Sequence, residues 1–230
     1  MSQKEQIFAD LIACHLEGKC DFELLNAYKG APLIIPAVLQ DVGEGQAIFE
    51  TTPPNSVCLT WSDQTLILSD GTLEPISARV ASFDIGTGLV TLERFAYAGY
   101  QFGHRREVRV EPEQPLVVEI EHPAGKFPAT LCDLSMGGAG LQIDTGGCSP
   151  ELHKGDEVQV TIQLPGGPVR LEARLLAISS AQPVCRLALT FSSSGTGAKP
   201  SILRYIFQRR TQIMAEIQHK FATARHAGRS

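Results

Sequence analysis

Apolar residues recur at helical intervals near the start of the chain, at Ile7, Phe8, Leu11, Ile12 and Leu16, behind a Ser2-Gln3-Lys4-Glu5 stretch with capping-box spacing. Gly18 ends the run, so the pattern predicts a short amphipathic helix that covers the end of its own domain. From Pro32 to Tyr97 the rhythm shortens. Strand-like runs are expected at Leu33 to Leu39, Ala47 to Glu50, Val57 to Trp61, Thr65 to Leu68, Ile76 to Phe83 and Leu89 to Phe95. Between them lie Gly43-Glu44-Gly45, Pro53-Pro54-Asn55, Ser69-Asp70-Gly71 and Gly86-Thr87-Gly88, all turn chemistry. Short strands at this spacing predict a small antiparallel barrel or sandwich.

A second β series follows Gly99 and Gly103: Leu116 to Ile120, Ala129 to Asp133, Gly140 to Ile143, Glu157 to Leu164, Val169 to Ile178 and Val184 to Phe191. Val158, Val160, Ile162 and Leu164 alternate with Gln159, Thr161 and Gln163, the period-two signature of a strand with one buried face. After the connector Ser192 to Gly197, Pro200 opens a helical pattern with an apolar stripe of Ile202, Leu203, Ile206, Ile213, Met214, Ile217 and Phe221. Gln208, Arg209 and Arg210 interrupt that stripe. The helix is expected to pack on the preceding barrel, with Arg204, Arg209, Arg210, Lys220, Arg225 and Arg229 turned to solvent or to a partner.

Composition excludes several classes. The 230 residues hold no apolar stretch near the roughly 18 that a membrane span needs, and the first residues lack the layout of a secretory signal, so a cytoplasmic protein is expected. The six cysteines show no paired spacing suited to zinc and are expected mainly as buried thiols; Cys14-His15 with Cys20 would make at most a partial metal site. Charge is uneven, with five basic against thirteen acidic side chains in residues 1–100 and seven against one in residues 199–230. An acidic body disfavours general DNA or RNA binding. Trp61, Tyr97 and Tyr100 are not interleaved with basic residues as a single-strand stacking platform would require. No nucleophile elbow, Walker motif or ordered histidine constellation is present, which points away from an enzyme.

The candidate chemistry lies in two short motifs, His104-Arg105-Arg106-Glu107-Val108-Arg109 and Asp133-Leu134-Ser135-Met136-Gly137-Gly138-Ala139-Gly140. RxxxR spacing alone is uninformative, because it occurs at Arg105/Arg109, Arg170/Arg174 and Arg225/Arg229. DxSxxG occurs once, at Asp133, Ser135 and Gly138, and selects the first copy, which lies in the connector between the two β series. Guanidinium forks chelate phosphate, bond guanine O6 and N7, or stack on a purine. A carboxylate in reach accepts from guanine N1–H and N2–H, a serine adds a hydroxyl, and a glycine lets the backbone come close. The same residues have a plainer reading, with the arginines paired to Glu107, Glu111 and Glu113 on a solvated linker and Asp133 to Ser135 closing a turn.

In both motifs and their order, the chain resembles the PilZ family of cyclic di-GMP receptors over roughly residues 104 to 225; with the preceding β domain it is similar to the two-domain, flagellar-brake type. The resemblance implies a mainly β fold of two small antiparallel β-barrel domains, 1–103 and 104–230, with an N-terminal and a C-terminal helix. It further implies a non-enzymatic receptor that binds cyclic di-GMP at the domain junction and converts binding into a conformational change affecting motility or biofilm. The ligand residues it implies are Arg105, Arg109, Asp133, Ser135 and Gly138, joined by Arg106 as a neighbour of the first arginine. Neither cofactor nor metal is implied; the partner protein is unspecified, and His104 leaves open whether one ligand or a stacked pair is bound. A PilZ-fold interaction module that binds no nucleotide is the alternative.

Overall fold

The computed structural model describes residues 3–17, 20–69, 74–98, 107–144, 152–181, 183–192 and 197–227. These residues form two units, one of 1–28, 32–106 and 213–230, the other of 29–31 and 107–212.

The first unit starts with α1 (Gln3–Glu17), which turns Ile7, Leu11 and Cys14 inward. Six antiparallel strands follow and close in the order β1-β2-β3-β6-β5-β4: β1 (Phe22–Tyr28), β2 (Ala31–Gly43), β3 (Gln46–Thr51), β4 (Gln64–Ser69), β5 (Ile76–Asp84) and β6 (Leu89–Tyr97). In β2, Leu33, Ile35, Ala37 and Leu39 alternate inward, and with Phe22, Leu24, Phe49 and Leu92 they fill the barrel. Helix α1 packs on β6. The Phe8 and Phe95 rings meet edge to face at 5.1 Å, and the Tyr97 hydroxyl donates to Asp10 at 2.8 Å. Burial, reinforced by that carboxylate, pushes the Tyr97 phenol up to about 12.

Two elements of this barrel depart from the pattern reading. Val57 to Trp61 is not a strand: Asn55–Thr60 is a 3-10 helix against β1 and β5. Ser56, Val57, Cys58 and Leu59 are all buried, and four consecutive buried positions do not fit a strand with one solvated face. Pro53 and Pro54 also bring no N–H to a ladder. The sixth strand is instead β1, which alternation hid because Asn26 occupies an inward position among Phe22 and Leu24.

Cys14 and Cys20 form a disulfide, with Cα atoms 5.5 Å apart, where free thiols were expected. Cys58 and Cys185 are buried and outside any disulfide, and burial pushes the Cys58 thiol up to about 12. Among the described residues no cluster of His, Cys, Asp and Glu could hold a metal ion, and no helix is long and apolar enough to cross a membrane.

The second unit closes in the order β10-β11-β12-β9-β8-β7 from β7 (Val117–His122), β8 (Gly125–Leu134), β9 (Gly138–Asp144), β10 (Glu157–Leu164), β11 (Gly167–Ala181) and β12 (Val184–Phe191), again antiparallel. Val118, Ile120, Leu131, Leu141, Val160, Ile162, Leu171 and Leu187 point inward and make its core. The mainly β fold of two antiparallel barrels flanked by an N-terminal and a C-terminal helix is thus present.

The closing helix α2 (Lys199–Ala227) groups with the second unit as far as Gln212 and with the first from Ile213. Its buried stripe is Ile202, Ile206, Arg209, Ile213 and Ile217, at intervals of four, three, four and four. Arg209, expected at the surface, is therefore only 1 % exposed, whereas Leu203 and Phe207 are exposed. Lys220 is exposed but lies over Trp61, its ammonium 4.4 Å from the ring, and Trp61 in turn tilts against Tyr28.

Candidate functional site

Asp133 owes its position to a β-bulge. The β8–β9 register runs Thr130 to Gln142 and Leu131 to Leu141, then shifts so that Asp133 faces Gly140 and Leu134 faces Ala139. Leu131 and Leu134 are three residues apart yet both face the core, which a regular strand forbids. The extra residue lets both stay inside while Cys132 and Asp133 turn outward, half-exposed.

The linker arginine is brought to this bulge by backbone pairing. Val110 forms an isolated antiparallel bridge with Leu134, its N–H donating to the Leu134 carbonyl and its carbonyl accepting from the Leu134 N–H, each at 3.0 Å. Arg109 therefore sits beside Asp133, and its Nη1 lies 3.3 Å from Asp133 Oδ1. The two side chains are 37 % and 29 % exposed. An ion pair so open contributes at most about 1 kcal/mol to folding, too little to explain the arrangement as a stability device. The next peptide is fixed too: Glu111 N–H donates to the Lys29 carbonyl at 3.0 Å, and its carbonyl accepts from Arg209 Nε at 2.8 Å. Arg209 also donates to Gln212 Oε1 at 3.4 Å.

Ser135 and Gly138 close the turn between β8 and β9. Ser135 is 4 % exposed, and both its N–H, at 2.9 Å, and its Oγ, at 3.2 Å, donate to the Gly138 carbonyl. The hydroxyl thus holds the turn. Gly138 needs its missing side chain for packing rather than for a left-handed backbone, since an added Cβ would strike the Leu189 carbonyl on β12. Gly137 offers its carbonyl to Phe191 N–H at 2.8 Å and to Thr190 Oγ1 at 3.2 Å.

Two further participants were not singled out in the motif. Glu107 accepts from Gly137 N–H, so the linker's carboxylate caps the glycine turn. Gly140 leaves room for Asp133, whose Oδ2 would be 2.5 Å from a Cβ there. The Gly-Gly-Ala-Gly run signalled the second of these, whereas nothing in sequence marked Glu107 as more than a linker charge. Arg105 and Arg106, with His104, lie outside the described residues. Arg109, Asp133, Ser135 and Gly138 are brought together.

The other RxxxR copies have different settings. Arg170 Nη2 bonds Glu121 at 2.8 Å, and Arg174 Nη2 bonds Glu157 at 3.1 Å, so the second copy belongs to ion pairs from β11 to β7 and β10. The Arg225 side chain and Arg229 lie outside the described residues.

Barrel and site together define a small β-barrel module that carries a guanidinium beside a carboxylate at the bulge of β8. Residues 104–208 match the PilZ domain family. No curated protein matches the chain. Among solved structures, Escherichia coli YcgR in complex with c-di-GMP is 14% identical, with a TM-score of 0.47, covering 94% of this chain and 95% of that one. The K. pneumonia MrkH–c-di-GMP complex is 14% identical with a TM-score of 0.46, covering 94% and 96%. The Bacillus subtilis inhibitor of motility (MotI/DgrA) is 14% identical with a TM-score of 0.43, covering 84% and 96%.

Proposed function

We propose that this chain is a non-enzymatic cytoplasmic receptor for cyclic di-GMP, acting in motility, biofilm formation or a related process through a protein partner. The observation that carries the reading is the pairing of Arg109 with Asp133 at 3.3 Å, on a linker bridged to a bulged strand inside a PilZ domain. A half-exposed guanidinium beside a half-exposed carboxylate presents the donors that phosphate and guanine O6 and N7 accept, and the acceptor that guanine N1–H and N2–H require. Ser135 and Gly138 hold the turn that aims Asp133. Arg105 and Arg106 complete the grip in this proposal, and no metal or cofactor takes part.

In the same proposal the domains are 1–103 and 104–230, and binding changes their orientation. Direct DNA or RNA binding is not part of it, because acidic side chains outnumber basic ones 25 to 20.

Isothermal titration with cyclic di-GMP tests the reading on the wild type and on Arg105→Ala, Arg109→Ala and Asp133→Ala. Each lost charge-assisted contact is worth about 1.5–3 kcal/mol, so affinity is expected to fall by about tenfold to a hundredfold in each variant. Unchanged affinity in all three would remove the site, and a wild type that binds nothing would favour a nucleotide-free interaction module. Small-angle scattering on the same proteins reads the reorientation: the profile changes with ligand in the wild type only.

A further inference from the structure

The outer face of the second barrel carries a cation outside both motifs. On β12, Ala188 pairs with Gly140 and Arg186 with Gln142, while on the other side of β9 Gly140 pairs with Asp133 and Gln142 with Thr130. Cys185, Leu187 and Leu189 are buried and point inward, so Arg186 and Ala188 share the outer face with Gly140 and Asp133. Gly140, over which the Asp133 carboxylate lies, and Ala188 make a low floor between that acid on one strand and an arginine two strands away. With strands about 4.8 Å apart and about 3.3 Å rise per residue, the Cα atoms of Asp133 and Arg186 are roughly 12 Å apart. A molecule of two nucleotides can bridge that span when the arginine side chain extends over the floor.

Arg186 differs from its neighbours on this barrel. Arg170 and Arg174 are paired to carboxylates, and Arg109 to Asp133. Among the described residues the exposed guanidinium of Arg186 has no hydrogen bond or ion pair. It nonetheless acts on this neighbourhood: burial raises the pKa of the Cys132 thiol, the charge of Arg186 opposes that rise, and Asp133 and Glu111 add to it. The four groups share one electrostatic environment.

We propose that Arg186 is a further ligand-binding residue of the site, its guanidinium taking a phosphate of the same cyclic dinucleotide across the Gly140–Ala188 floor. This rests on the cyclic di-GMP reading above. A phosphate accepts a point charge, whereas a guanine edge needs the planar fork, so lysine is a discriminating replacement.

The test is titration of cyclic di-GMP into the wild type, Arg186→Ala, Arg186→Lys and Arg109→Ala. Arg186 is exposed, so its variants are expected to fold, which thermal unfolding verifies. Arg186→Ala is expected to weaken binding about tenfold and to flatten the dependence of affinity on salt, while Arg186→Lys stays within about threefold of the wild type. Wild-type affinity in Arg186→Ala beside a loss in Arg109→Ala would overturn this proposal and leave the parent reading standing. Arg186→Lys as weak as Arg186→Ala would overturn the phosphate assignment. A wild type that binds nothing would overturn the parent reading and this proposal with it.

Discussion

At the scale of single residues, the site depends on what two glycines leave out. A side chain at Gly140 would occupy the place of the Asp133 carboxylate, and one at Gly138 would run into the Leu189 carbonyl. Gly138→Ala is therefore expected to lower stability by about 1–3 kcal/mol, the range for overpacking, and to weaken cyclic di-GMP binding because the turn carrying Asp133 must shift. Chemical unfolding and titration on the same protein check both effects; a variant as stable and as tight as the wild type would show that the turn tolerates a methyl group. The motif residues were legible in sequence because their spacing is local. Their individual settings were less so: Ser135 reads as a ligand hydroxyl, and its burial and its bonds to Gly138 show that it also holds the turn, which follows from the register of β8, β9 and β12.

At the scale of elements, strands with clean alternation were readable nearly to their ends. Glu157–Leu164 and Val184–Phe191 have the boundaries the pattern predicts. Readings failed where one residue contradicted the period. Asn26 concealed β1, consecutive burial turned Val57 to Thr60 into a 3-10 turn, and Arg209 disguised the continuity of the α2 stripe. The last case bears on the site, because Arg209 fixes the Glu111 carbonyl two residues beyond Arg109. Removing it leaves a backbone acceptor without its donor, at a cost of about 1–3 kcal/mol. Arg209→Met, which keeps much of the buried volume, is expected to lower the melting temperature by several degrees and to weaken cyclic di-GMP binding more than Arg204→Met, a change at an exposed position of the same helix. Equal effects of the two substitutions would show that the bond to Glu111 does not position the linker.

At the scale of the whole molecule, the described residues close two six-stranded barrels in which each strand is paired on both sides, and the arginine and carboxylate of the candidate site lie on a linker and an outer face. The acidic excess in residues 1–100 and the basic excess in residues 199–230 said little about the site: of the seven basic residues in the second range, Arg209 is buried and bonds the Glu111 carbonyl, which a charge count does not distinguish. Sequence could show that a candidate ligand chemistry sits between two β series. It could not show that α2 groups with both units, because that depends on contacts between distant parts of the chain, nor the disulfide between Cys14 and Cys20, a local pairing whose spacing alone does not mark it.

If cyclic di-GMP binds the outer face where Arg109 meets Asp133, amide chemical shifts during titration will report it at those residues. The amides of Arg109, Asp133, Gly137, Gly138 and Gly140 are expected to shift with a common saturation curve, and Arg109→Ala is expected to abolish those shifts at the same ligand concentration. Saturable shifts confined to other surfaces, or the same shifts in Arg109→Ala, would contradict it.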